Sequence, residues 1–274
     1  MGEPEQHEMP FKQRRFKNAR FRRGVFLVPA LFTTANLLCG YFAVVAAYMG
    51  TAEDFDRAAK AIGLAFLFDA LDGRLARLLG ANTEFGVQFD SLADVVSFGV
   101  APAVLAFAWG VRSLSIAGTQ QGQLLSDLGW VCCLGFLVCC AWRLARFNVQ
   151  GMAPGGSKYF VGLPTPPAAG VIAALVHGFN GRPLHDWRWS AAWFVLAAGL
   201  GALMTSTIRY YSFKDIPWTR KLPSLTIVLA FILLAVIVKF SEIALVILAC
   251  TYVAVGVALH LTRFIRHRMV SRTA

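Results

Sequence analysis

Charge is what this chain has least of. Only 15% of its 274 residues are Asp, Glu, Lys or Arg, whereas 57% are hydrophobic, and a soluble domain typically carries about 25% charged residues. That scarcity, with a mean hydropathy of +0.58, excludes a disordered chain and argues against an ordinary soluble enzyme. Histidine is scarce too. None of the five lies near Cys132, Cys133, Cys139 and Cys140, so these four have no partners for a zinc site and read as small packing residues of one apolar run. The six cysteines make no disulfide framework. Sustained strand-like alternation is missing, which argues against a membrane barrel. No internal repeat, low-complexity tract or second soluble domain is evident.

What the chain does have is long apolar runs. A helix needs roughly 20 mostly apolar residues to cross the hydrocarbon core. Eight candidate spans fall at about 25–49, 59–79, 86–110, 128–149, 164–180, 189–211, 223–240 and 243–263. The fold class expected is therefore all-α, a polytopic membrane bundle of about eight transmembrane helices. The first run is too long, and begins too far in, for a cleaved signal peptide, and reads as a retained span. Residues 1–24 form a basic juxtamembrane segment, 25–266 the membrane domain and 267–274 a short tail.

The basic residues set the orientation. With a cytoplasmic N-terminus, 20 lysines and arginines fall on the cytoplasmic side and 6 on the other, as the positive-inside rule requires. Both termini are then cytoplasmic. The net charge of +11 lies entirely on that face, which points to anionic lipid as the partner rather than nucleic acid. Phe11, Phe16 and Phe21, set among the N-terminal basic residues, fit an interfacial segment on such a surface; a plain topology anchor fits equally.

Four carboxylates stand where apolar residues are expected: Asp69, Asp72, Asp90 and Asp94. An aspartate near the centre of a span costs about 2.5–3.5 kcal/mol even on the lenient insertion scale, so partners are required. Arg74 and Arg77 cannot neutralise all four, whereas a divalent cation takes its oxygen ligands from such a cluster. In a helix Asp69 and Asp72 share a face, and Gly86, Asp90 and Asp94 form one stripe along the next helix. The short connection between them makes the helices antiparallel neighbours with facing polar stripes. Gly73 and Gly86 leave room for a phosphate group, and Arg77 is placed to hold one. The acids at one membrane face, without deeper ionisable groups or an inverted repeat, argue against the alternative of a cation or proton transporter.

The run Asp69-Ala-Leu-Asp72-Gly73-Arg-Leu-Ala76-Arg77, eight further residues, then Gly86-x-x-x-Asp90-x-x-x-Asp94 resembles the complete signature of the CDP-alcohol phosphatidyltransferases. The resemblance implies attack by an alcohol on the β-phosphate of CDP-diacylglycerol, with release of CMP. It implies Mg²⁺ or Mn²⁺ held by Asp69, Asp72, Asp90 and Asp94, with Asp94 also the general base. Gly73, Arg77 and Gly86 would contact the CDP phosphates. In the first span, Pro29-x-x-x-Thr33-x-x-Asn36-x-x-x-Gly40 resembles the family's nucleotide-side motif, which assigns Thr33 and Asn36 to the cytidine or ribose. A homodimer in the bacterial cytoplasmic (inner) membrane, with its active site at the cytoplasmic face, is the expected assembly.

The signature leaves the acceptor open. Arg143-Leu-Ala-Arg146-Phe147-Asn148 and Gly162-Leu-Pro164-Thr-Pro166, with eight spans rather than six, resemble the family's phosphatidylserine synthase branch, which favours L-serine over inositol phosphate or glycerol phosphate. Arg143 and Arg146 would meet a serine carboxylate or a lipid phosphate equally well, and Asn148 would offer an amide to the acceptor. Snorkelling anchors and a helix C-terminal amide are the plainer readings of these three residues.

Overall fold

The computed structural model describes residues 19–80, 83–111, 119–150, 159–183, 186–211 and 241–273. In chain order these form α1 (Ala19–Met49), α2 (Ala52–Leu78), α3 (Glu84–Asp94), a π-helical turn (Val95–Val100), α4 (Ala101–Val111), α5 (Gln120–Gln150), β1 (Tyr159–Val161), α6 (Thr165–Gly178), α7 (Trp187–Thr205), β2 (Arg209–Tyr211) and α8 (Ser241–Thr273). Apart from the two short strands, every regular element among the described residues is helical.

Local chemistry sets the helix ends. Thr51 caps α2 by accepting from the Asp54 amide, and Glu53 and Asp54 complement the helix dipole in the first turn. The second span, expected from residue 59, therefore begins as helix at Ala52. Thr83 caps α3 in the same way, accepting from the Gly86 amide at 3.0 Å. Pro166 and Pro167 sit in the first turn of α6, where the missing amide hydrogens cost nothing. The fourth expected span, 128–149, lies within the longer α5. The sixth, 189–211, is helical only to Thr205. Beyond it Arg209–Tyr211 pair antiparallel with Tyr159–Val161, so a two-stranded ribbon replaces the last turn of the expected helix. The seventh span, 223–240, and residues 1–18 of the basic segment lie outside the described residues.

Small residues bring the helices together. α1 packs along α2, and the buried positions of both are rich in alanine (Ala43, Ala46 and Ala47; Ala58, Ala59, Ala61 and Ala65), the small residues that let membrane helices approach closely. α1 also touches α3 and the π-turn, α5 packs on α7, and α6 lies between α2 and α8. Trp109 and Trp193 meet edge to face with centroids 4.7 Å apart, and their indole N–H groups donate to the carbonyls of Arg182 and Ala106. Among the described residues, Leu27–Met49, Glu84–Val111 and Gln120–Val149 are long and apolar enough to cross a membrane, and Ser241–Gly256 is a shorter apolar helix.

Candidate active site

The carboxylates converge where α2 and α3 approach one another. Asp69 and Asp72 from α2 and Asp90 from α3 each present an oxygen within 4.8 Å of the others. Spacings of three and four residues put them on facing stripes, as the sequence implies. Asp94, one turn past Asp90, closes the stripe and is 9% exposed; Asp72 is 4% exposed. Close-set carboxylates that are buried or half-buried repel one another and have lost part of their hydration, so a cation in their midst relieves both costs. The donor set is all oxygen, which suits a hard divalent ion. Asp90 Oδ1 is buried without a hydrogen-bond partner, an atom left open for such an ion. The residues present therefore fit a divalent metal.

The first helix supports this cluster. Pro29, Thr33, Asn36 and Gly40 recur on one face of α1, and all four are buried. Thr33 Oγ1 donates to Asp72 Oδ2 at 2.9 Å, and Asn36 Nδ2 donates to Asp94 Oδ1 at 3.2 Å. The residues expected at the nucleotide thus hold carboxylates here, while Asn36 Oδ1 remains buried and unpartnered. Gly73 is half-buried, and a Cβ placed on it would meet nothing within 4 Å, so the space beside it belongs to no neighbouring side chain. The Gly86 amide is engaged with Thr83. Arg77 is exposed at the end of α2.

The candidates on α5 fall into two groups. Arg143 is 8% exposed, its Nε is buried without a partner, and it lies within electrostatic reach of Asp94. A buried guanidinium with an open donor, beside the carboxylate stripe, suits an anionic group of a ligand. Arg146 is half-buried next to it. Asn148, by contrast, donates from Nδ2 to Ser91 Oγ at 2.8 Å, which ties the end of α5 to α3. Tyr252 on α8 also lies within electrostatic reach of Arg143. Nothing in the sequence singles it out, since a lone tyrosine in an apolar span is unremarkable there. The π-turn after Asp94 was equally silent: Val-Val-Ser-Phe-Gly-Val reads as ordinary apolar helix.

The profile of the family described as CDP-alcohol phosphatidyltransferase matches residues 26–181, more than half of the chain. The chain belongs to that family. It is an enzyme of this kind, using a CDP-alcohol and an acceptor alcohol. The CDP-diacylglycerol–serine O-phosphatidyltransferase of Helicobacter pylori is 31% identical over 198 residues, 72% of this chain and 77% of that protein. The protein of the same name from Mycobacterium leprae is 35% identical over 202 residues, 69% of this chain and 60% of that one. The one from Saccharomyces cerevisiae is 37% identical over 155 residues, 53% and 51% of the two chains. A crystal structure of Mycobacterium tuberculosis phosphatidylinositol phosphate synthase, in complex with manganese and citrate, aligns over 70% of this chain and 85% of that one, with TM-score 0.41 and 22% identity. Family and apolar helices together make this phosphatidyltransferase an integral membrane protein.

A second polar cluster lies at the opposite end of α2. His177 Nδ1 and Asp56 Oδ1 are 2.5 Å apart, His177 Nε2 and Ser241 Oγ 2.8 Å, and Lys60 Nζ and Asp56 Oδ2 2.6 Å. The contacts join the ends of α2, α6 and α8. Burial pushes the Asp56 carboxyl up, but the hydrogen bonds and charges of Lys60 and His177 outweigh it and hold it below the ordinary carboxylate range. His177 thus ties three helices together.

Proposed function

We propose that this enzyme transfers the phosphatidyl group of CDP-diacylglycerol to the hydroxyl of L-serine, giving phosphatidylserine and CMP. The observation that carries the reading is the convergence of half-buried Asp69 and Asp90 on buried Asp72, with buried Asp94 one turn beyond Asp90. The serine acceptor is supported by the names of the relatives and by Arg143, whose open guanidinium nitrogen suits a carboxylate.

Asp69, Asp72 and Asp90 would hold Mg²⁺ or Mn²⁺, with Asp94 sharing in it. When bound, the cation neutralises charge developing on the phosphoryl group and improves CMP as a leaving group. The chain's own residues do the rest. Asp94 takes the proton of the serine hydroxyl as attack proceeds, because an aspartate is too weak a base to remove it beforehand. The serine oxygen bonds to the β-phosphorus, the bond from that phosphorus to the bridging oxygen breaks, and CMP leaves with the oxygen and the electron pair. Arg77 meets the diphosphate at the mouth of the site, and the space beside Gly73 admits it. Thr33 and Asn36 keep two carboxylates aimed inward.

In the same reading the membrane domain spans 25–266 with eight transmembrane helices, both termini and the carboxylates face the cytoplasm across a bacterial inner membrane, and two copies form a homodimer. The test is CMP release by purified protein from CDP-diacylglycerol with manganese or magnesium and a panel of alcohols. Serine-dependent release is expected. Release with inositol phosphate or glycerol phosphate but not serine would overturn the acceptor, and failure of every alcohol to give release would overturn the reaction.

A further inference from the structure

Asp94 is held by more than its own helix. Immediately after it, residues Val95–Val100 form a π-helical turn, in which the Ala101 amide reaches back to the Val96 carbonyl. Wide turns of this kind are uncommon, and frequently mark functional sites. The turn presents Ser97, fully buried, to α1. Ser97 Oγ donates to the backbone carbonyl of Asn36 at 2.9 Å, and the side chain of that same residue donates to Asp94 Oδ1 at 3.2 Å. Two residues three apart on one helix thus grip the backbone and the side chain of a single residue on another.

The close approach needs Gly40. A Cβ there would lie 2.4 Å from Ser97 Oγ and 2.8 Å from Ser97 Cα, so any larger residue would drive α1 away from the turn. Helical geometry already gives the Asn36 carbonyl one partner, the Gly40 amide, and the serine hydroxyl occupies its second lone pair. The contact is therefore not a rescue of an orphaned backbone group. What the serine adds is the placement of Asn36 along and around the α1 axis, and the amide of Asn36 ends on the carboxylate proposed as the base.

We propose that Ser97, set by the π-turn and admitted by Gly40, is a positioning residue that acts through Asn36 to orient Asp94. The proposal rests on the phosphatidyltransferase reading of the site. Asn36 is then a carboxylate-orienting residue, in place of the cytidine contact that its sequence motif implies.

A double-mutant cycle on the full-length protein tests it, using Ser97→Ala, Asn36→Ala and the pair together. Three quantities are read: kcat and KM for CDP-diacylglycerol, binding of CDP by calorimetry, and binding of Mn²⁺ by electron paramagnetic resonance. Loss of a residue that orients a metal-site ligand costs about 10- to 100-fold in metal affinity or activity, and that range is expected for kcat in each single variant. KM for CDP-diacylglycerol and the affinity for CDP are expected to stay within about twofold, because the nucleotide loses no contact. The double variant is expected to be no worse than Asn36→Ala alone, since Ser97 acts only through that residue.

Additive losses would overturn the proposal. So would weakened CDP binding in Asn36→Ala, which would make Asn36 a nucleotide contact. If Asn36→Ala does not fold, Ser97→Ala, which leaves the carbonyl its helical partner, decides alone: unchanged kcat and Mn²⁺ affinity would refute the clamp. Wild-type protein that binds Mn²⁺ but releases no CMP would sink the reaction, and the manganese arm of the cycle would still read the clamp by the same non-additivity.

Discussion

Replacing Thr33 by valine removes one hydroxyl from a buried site and leaves the shape of the side chain intact. Thr33 is 5% exposed, and its hydroxyl hydrogen has two acceptors within reach, Asp72 Oδ2 at 2.9 Å and the Pro29 carbonyl at 3.2 Å. The carbonyl already receives the helical amide of Thr33, so the carboxylate is the acceptor with more to gain. A hydrogen bond to a charged group is worth about 1.5–3 kcal/mol. At about 1.4 kcal/mol per factor of ten, its loss corresponds to about 10- to 150-fold in any equilibrium that needs Asp72 in its present orientation. Metal binding is that equilibrium, because Asp72 contributes one of the three converging oxygens. Titration of Mn²⁺ into both proteins, followed by electron paramagnetic resonance and by CMP release, is expected to show affinity weakened by at least about tenfold in Thr33→Val. KM for CDP-diacylglycerol is expected to stay within about twofold. Unchanged metal affinity together with a raised KM would refute the reasoning and return Thr33 to the nucleotide.

Arg143→Lys replaces a buried fork of donors by a point charge and is expected to raise KM for serine by about tenfold or more while sparing KM for CDP-diacylglycerol, as read in steady-state kinetics. Equal effects on both substrates would assign Arg143 to the lipid phosphate. Gly162 has φ of +83°, and a Cβ there would lie 2.2 Å from the Met204 carbonyl oxygen; Gly162→Ala should lower the thermal midpoint in detergent, with about 1–2 kcal/mol lost to the left-handed backbone alone before the clash is counted. Asp56 is held below its unfolded value of about 3.9, so its stabilising contribution is present above that pH and is lost as pH falls through the lower folded value. Thermal midpoints measured from about pH 6 down to about pH 3 should therefore fall less steeply in Asp56→Asn than in the wild type.

The carboxylate site was legible because helix geometry converts spacing into direction. Asp69 and Asp72, and then Asp90 and Asp94, could face each other only if both segments were helical and joined by a short turn, and both conditions could be read from the residues. The partners of those carboxylates were not legible. Whether Thr33 and Asn36 point at a nucleotide or at an aspartate depends on how α1 rotates against α2 and α3, and its motif specifies only a shared face. The π-turn is hidden for a related reason: no residue in 95–100 forces a wide turn, and the hydrogen bond Ser97 makes there, to Asn36 on α1, joins residues 61 apart in the chain. Asp56, His177 and Ser241 meet across more than 180 residues of chain, a distance at which neither periodicity nor motif gives a signal. The ribbon joining 159–161 to 209–211 escaped for the same cause, since each strand is too short to show alternation.

The central claim, that the acceptor hydroxyl attacks the β-phosphorus at the carboxylate site, is tested most directly by isotope tracing. Serine labelled with ¹⁸O in its hydroxyl group is supplied with CDP-diacylglycerol, and the products are weighed by mass spectrometry. The label is expected in phosphatidylserine and absent from CMP, with both products lost in Asp94→Asn. Label recovered in a serine–cytidylate ester, accompanied by phosphatidic acid, would place the attack on the other phosphorus and contradict the account.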